Sequence, residues 1–309
     1  MSTSHASSLI RAVRSIDLET PSLSDDLAFY EKTWLLMPVQ KNSQAAYLRA
    51  TGPHAYVLGL HAGSHPDVRI RHITLQAHSR ASLTAILQRA AAHDGAQVIQ
   101  TEYALDVPGG GHAIELSDEV GRRWRIVADD TPLAPIVLDH APVRLAHVVI
   151  NASDVPQCQR FMEEVFDFSL SDRTRIMAFM RCTDDHHSIA IGDTDNNCLN
   201  HIAFLTPDLD SAMMGAGRMR DAGYPVQWGP GRHGPGNNAF NYFVGPQQVV
   251  IEYTAEVQTI DDSYPVGSPT DWTWPPGRID QWGIGVMPSS TLKAAQAHIG
   301  FVPLEKPTT

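Results

Sequence analysis

The chain has 309 residues, enough for about two domains of ordinary size, with 43% hydrophobic residues, 18% charged residues and a net charge of −11. This composition excludes a disordered chain, and without a Lys/Arg-dense run there is no basis for nucleic-acid binding, which needs clustered cations. No window approaches ~18 uninterrupted apolar residues, the start MSTSHASSLIRAVRS lacks the apolar run of a secretory signal, and Cys158, Cys182 and Cys198 show no C-x-x-C spacing, so a cytoplasmic chain with neither membrane span nor disulfides is expected.

The first predicted unit, AVRSIDLETPSLSDDLAFYEKTW (12–34), is a strand-like run, a polar break and a helical pattern containing Phe29. IRHITLQAHSRASLTAILQRAAAHDGAQV (70–98) follows, with His72 on its strand, and then DEVGRRWRIVAD (118–129), a strand carrying Arg125. A proline-rich linker, DDTPLAPIVLDHAP (129–142), breaks the periodicity. The same order then returns. LAHVVINASDVPQCQRFMEEVF (145–166) repeats the first unit, with Phe161 placed 132 positions after Phe29. LNHIAFLTPDLDSAMMGAGRMRDAGYPV (199–226) repeats the second, with His201 placed 129 after His72. VGPQQVVIEYTA (244–255) repeats the third. Three matches at a nearly constant offset define a module of about 125 residues present twice. Helices are expected near 156–166 and 209–222. The final stretch, SYPVGSPTDWTWPPGRIDQWGIG (263–285), is expected to wrap the modules as an ordered tail, with a lid over a pocket as the alternative.

In the second copy, His147, His201 and Glu252 lie in three separate strand-like runs, LAHVVI, NHIAFL and VVIEYT. Alternate residues of a strand share a face, so each run can direct its ligand to one side. Two imidazoles and one carboxylate take one face of a metal and leave the other open, an arrangement suited to non-haem Fe(II), with Mn(II) as the alternative. The first copy offers Ser15, His72 and Arg125 at the matching positions, which puts a cation where a metal would sit. One working half and one structural half are therefore expected. A lone strand histidine is ordinarily a hydrogen-bonded core residue, and it is the three-strand context that favours ligation.

GPGRHGPGNNAFNYFVGPQQVVIEY (229–253) leads from a Gly/Pro-rich loop through an aromatic strand into Glu252 and Tyr253. On these residues the chain resembles the type I extradiol ring-cleavage dioxygenases of the vicinal oxygen chelate superfamily, from about residue 8 to 260. The resemblance implies an α+β fold of tandem βαβββ modules forming two half-open mixed-sheet barrels. It divides the chain into a non-catalytic segment 1–135, a catalytic segment 140–262 and a tail 263–309. By position, the family's metal ligands fall on His147, His201 and Glu252. Its acid/base histidine falls on His187 in DDHHSIAI, with His186 as the adjacent register. Its loop histidine falls on His233 and its active-site tyrosine on Tyr242. The family's Asp-Pro turn is Gly245-Pro246 here, a change of turn chemistry and not of ligation.

The loop glycines Gly229, Gly231, Gly234 and Gly236 are read as allowing backbone angles other residues resist, with Asn237 and Asn238 forming the following turn. The implied reaction is ring opening of a small aromatic diol by O2, with the break next to the diol, in a cytoplasmic homo-oligomer. His187 serves as base, Tyr242 orients a substrate oxygen, and His233 contacts the diol or closes the pocket. AFM (178–180) with Trp272 and Trp274 points to a bulky ring, with single-ring catechols equally open. A lyase or isomerase of the same superfamily, which wants a fourth protein ligand, and a non-enzymatic ligand-binding protein are the competing classes.

Overall fold

The computed structural model describes residues 8–304; residues 1–7 and 305–309, at the outer ends of the first and last segments, lie outside the described residues. The first half contains β1 (Ile10–Thr20), α1 (Leu23–Lys32), β2 (Met37–Lys41), β3 (Ala45–Arg49), β4 (Leu58–Ala62), β5 (Arg69–Ala77), α2 (Arg80–Ala92), β6 (Gln97–Ala104), β7 (His112–Ser117) and β8 (Arg123–Ala128). The second repeats this order. It has β9 (Arg144–Ala152), α3 (Val155–Phe166), β10 (Ser169–Arg173), β11 (Met177–Arg181), β12 (Ile189–Asp193), β13 (Leu199–Leu205), α4 (Leu209–Asp221), β14 (Trp228–Arg232), β15 (Ala239–Val244) and β16 (Val250–Ala255). Four βαβββ units thus make two mixed sheets, in the orders β2-β3-β4-β1-β5-β8-β7-β6 and β10-β11-β12-β9-β13-β16-β15-β14. The second order is the first with every strand advanced by eight. Neither sheet closes on itself.

Local chemistry sets the helices. Asp154 and Asp208 cap α3 and α4 by accepting the backbone N–H groups of Gln157 and Ser211. Asp167 ends α3 in the left-handed conformation, φ 65°. Val155, Cys158, Phe161, Met162, Val165 and Phe166 recur at helical spacing and bury one stripe of α3 against the sheet. The apolar core continues from one half into the other. Trp34 stacks on Tyr253 with ring centroids 3.7 Å apart, and Arg218 Nε donates to the Thr33 carbonyl at 2.7 Å.

The tail runs along exposed strand edges of the second sheet, where unpaired backbone groups need partners. Gly267 bridges Asp172 on the edge strand β10, and Val286 bridges Gly229 on the opposite edge strand β14. A last helix, α5 (Ser290–Ala295), packs Leu292 and Ala295 against Phe240, Tyr242 and Val250. Phe301 then returns to Ile70 of the first half.

Candidate metal centre

Strand pairing alone brings the three donors of the second half together. In the register, Ala203 lies opposite His147 on β9 and opposite Glu252 on β16, while His201 is two residues before Ala203 on the same face of β13. The three side chains are fully buried, and one ligand atom from each lies within 4.8 Å of the others. His147 Nε2 is 3.2 Å and His201 Nε2 3.1 Å from the same carboxylate oxygen, Glu252 Oε2.

The tautomer of His201 decides what that convergence means. Asn200 Oδ1 lies 2.8 Å from His201 Nδ1 and also accepts Gln296 Nε2 at 2.8 Å, while Asn200 Nδ2 donates to Asn151 Oδ1 at 2.9 Å. The Asn200 oxygen therefore faces the ring, and His201 Nδ1 carries the proton. Its Nε2 then offers a lone pair towards a buried carboxylate, an arrangement that a cation between them satisfies. His147 Nδ1 is buried with no partner among the described residues, consistent with Nε2 as its working nitrogen. The donor set and its burial fit a divalent metal of the iron or manganese type.

Burial alone would raise Glu252, and only positive charge or donors at the positions of His147 and His201 hold it well below the usual carboxylate range; with both imidazoles neutral and their Nε2 lone pairs turned inward, a metal cation would fill that part. Burial lowers His201 against the opposing pull of Glu252.

The other three candidate residues face this cluster. His187 is buried, with its ring centroid 4.3 Å from that of His147. Burial, and then the neighbouring imidazoles, hold it well below the ordinary histidine value. Tyr242, opposite Glu252 in the β15–β16 register, places its hydroxyl 3.1 Å from His233 Nε2 and 3.4 Å from His201 Nε2. Burial, followed by the Glu252 charge, raises Tyr242 far above a free phenol, so it keeps its proton. His233 stacks on Phe240 at 4.0 Å, and burial lowers it to about 4. His186, the alternative register, turns away: its Nε2 lies 2.7 Å from Asp172 Oδ2, and its Nδ1 is 3.1 Å from Nδ1 of His187.

The loop glycines need a more divided account than a shared backbone freedom. Gly236 has φ 78°, and a Cβ there would lie 3.0 Å from His187 Cε1, so both conformation and space require glycine. Gly234 does not have a positive φ; a Cβ there would meet the Trp274 ring at 2.5 Å. Trp272 and Trp274 therefore brace the back of the His233 loop. Of the run 178–180, strand alternation sends Ala178 and Met180 into the core, while Phe179 stands 5.2 Å from His187.

Three supporting residues escaped the sequence reading. Asn238, expected to form a turn, is buried and donates from Nδ2 to Thr254 Oγ1 at 2.7 Å and to Glu252 Oε1 at 3.5 Å. Asn200 holds His201, and its only sequence signal is adjacency to a ligand. Asp172 holds His186 from a strand 14 positions upstream, which no local pattern reports.

A family model described as the Glyoxalase/Bleomycin resistance protein/Dioxygenase superfamily matches residues 144–253, the half that carries this cluster. Over 151 residues the chain is 31% identical to metapyrocatechase 2 of Cupriavidus necator. That stretch is 46% of this chain and 45% of the relative, so the match spans about half of the curated protein. A Mn(II)-bound glyoxalase from Novosphingobium aromaticivorans is 32% identical with a TM-score of 0.85, covering 92% of this chain and 94% of that one. Homoprotocatechuate 2,3-dioxygenase from Arthrobacter globiformis superposes with a TM-score of 0.80 over 96% of this chain and 93% of its own, at 19% identity, a likeness of fold.

Proposed function

Because the chain belongs to the glyoxalase/bleomycin resistance protein/dioxygenase superfamily, we propose that it is an extradiol dioxygenase, opening the ring of a catechol-type diol with O2 at a metal held by His147, His201 and Glu252. The observation that carries this reading is the lone pair of His201 Nε2 aimed at Glu252 Oε2, with His187 and Tyr242 facing the same point. Fe(II) is the metal proposed. When bound, it would hold both diol oxygens, make the diol easier to ionise and bring O2 into reaction with the ring.

The chain's own groups do the rest. His187, neutral because of its burial, takes a proton from a diol hydroxyl and can return it to a product oxygen. Tyr242, protonated, donates a hydrogen bond to a substrate oxygen, and His233 holds the Tyr242 hydroxyl in place. Phe179 offers an apolar wall to an aromatic ring, and the surrounding buried strands exclude water.

The lyase reading has one specific support, the 32% identical Mn(II)-bound glyoxalase. Against it stands the ligand set: among the described residues the cluster has three ligating side chains and no fourth. The test is oxygen uptake by protein loaded anaerobically with Fe(II) or with Mn(II) and offered a panel of single-ring and bicyclic catechols. Uptake with a coloured ring-opened product is expected with Fe(II). Turnover without oxygen uptake would favour the lyase, and tight binding without turnover a ligand-binding protein. The division at 1–135, 140–262 and 263–309 and assembly into a cytoplasmic homo-oligomer belong to the same proposal. Among the described residues no helix is long and apolar enough to cross a membrane.

A further inference from the structure

Behind His187 a line of hydrogen bonds runs through His186 to Asp172 and the tail. Asp172 and His186 are both completely buried. The Asp172 carboxylate receives three donors. His186 Nε2 at 2.7 Å and the Tyr264 hydroxyl at 3.1 Å reach Oδ2, and the Gly267 backbone N–H reaches Oδ1 at 2.7 Å. Burial and the neighbouring Asp172 push the Tyr264 phenol up to about 12, so Tyr264 remains a donor. A carboxylate only accepts, so a neutral His186 carries its proton on Nε2 and presents a lone pair from Nδ1. That lone pair faces His187 Nδ1 at 3.1 Å. The contact becomes a hydrogen bond when His187 donates from Nδ1, which leaves its other ring nitrogen, Nε2, unprotonated.

We propose that Asp172 and His186 are positioning residues that fix the tautomer of His187, holding its Nε2 as the free base, and that tail residues Tyr264 and Gly267 complete the arrangement. The inference rests on the reading of His187 as the group that takes the substrate proton. It also gives the tail a role beyond covering a strand edge. Two of the three donors that orient the Asp172 carboxylate come from residues 264–267. Outer partners of this kind ordinarily change activity or affinity by about 10–100-fold when removed.

The test uses the full chain with 15N-labelled histidine, metal-free and after loading with Zn(II) as a diamagnetic stand-in. Long-range proton–nitrogen correlation spectra should show His187 protonated at Nδ1 and unprotonated at Nε2. His186→Phe, which keeps the ring and removes the acceptor, should shift His187 towards the Nε2-protonated form. In the Fe(II)-loaded enzyme, His186→Phe should lower kcat by about 10–100-fold, with KM and iron content within about twofold of the parent. Tyr264→Phe removes one donor to Asp172 with little change of shape and should produce a smaller shift of the same sign. Asp172→Asn is the harsher variant, and the conclusion does not need it to fold. A parent His187 protonated at Nε2, or a His186→Phe protein with an unchanged tautomer, would overturn the inference. A parent that consumes no oxygen with any diol counts against the proposed reaction instead, and the spectra then decide the tautomer independently.

Discussion

The two halves share one sheet order and one register but place opposite charges at the same point. Strand pairing matches Ser15 to His147, His72 to His201, Arg125 to Glu252 and Glu115 to Tyr242. In the first half the Arg125 guanidinium lies on Glu115 Oε1 at 2.8 and 3.0 Å, and Asp17, where the second half has Val149, sits 2.8 Å from His61 Nε2 and 3.1 Å from His72 Nε2. Burial would raise Asp17, but His72, His61 and Arg125 together hold it well below the usual range. The protein supplies its own cation there. In the second half the equivalent space is ringed by a carboxylate and imidazole lone pairs, which an added cation would complete. The lesson is that one backbone serves either use, and that the choice depends on whether the eighth strand carries an arginine or a glutamate.

The sharpest way to break this contrast is to remove a donor from the second half. His147→Ala, His201→Ala or Glu252→Ala should abolish stoichiometric iron and lower oxygen uptake by about 1,000-fold or more, as metal analysis and an oxygen electrode would show. Each should leave the far-ultraviolet circular dichroism unchanged. The mirror experiment, Arg125→Met, removes the first half's cation and leaves Asp17 buried and Glu115 half-buried without it. It should cost about 2–3 kcal/mol in a denaturant titration while iron content per folded chain stays the same. Loss of iron in that variant would mean that the halves do not divide their roles.

Much of this contrast is legible in the sequence alone. The constant offset between His72 and His201 carries the duplication, and period two carries the three donors to one face. The pairing of Arg125 with Glu115 is not, because Glu115 lies on a neighbouring strand and its partner is set by register. Neither is Asn238. A turn and a buried amide donor call for the same residue type, and only tertiary packing separates them. His186 and His187 could not be ordered from sequence, since the chain between Arg181 and Ile189 leaves the strand pattern and parity is lost. Loop glycines read as one device because angular freedom and close approach leave the same letter in the sequence.

Two smaller changes sharpen the comparison. Gly236 and its counterpart Gly109 have φ 78° and 88°, but a Cβ at Gly236 meets the His187 ring while one at Gly109 meets Ala55 Cβ at 2.7 Å. Both alanine variants should lose about 1–3 kcal/mol of stability, measured by denaturant titration, and only Gly236→Ala should slow turnover beyond that loss. Tyr242→Phe should have the mildest effect, lowering kcat by about 10-fold through one lost hydrogen bond with the melting temperature nearly unchanged. Unfolding of Tyr242→Phe would instead make the phenol a structural group like its counterpart Glu115.

The measurement closest to the central claim is anomalous scattering at the iron edge from crystals of the Fe(II)-loaded chain. One peak per chain is expected, ligated by His147, His201 and Glu252, with none beside His72 and Arg125. A peak in the first half, or active crystals with no metal on the three donors of the second, would contradict it.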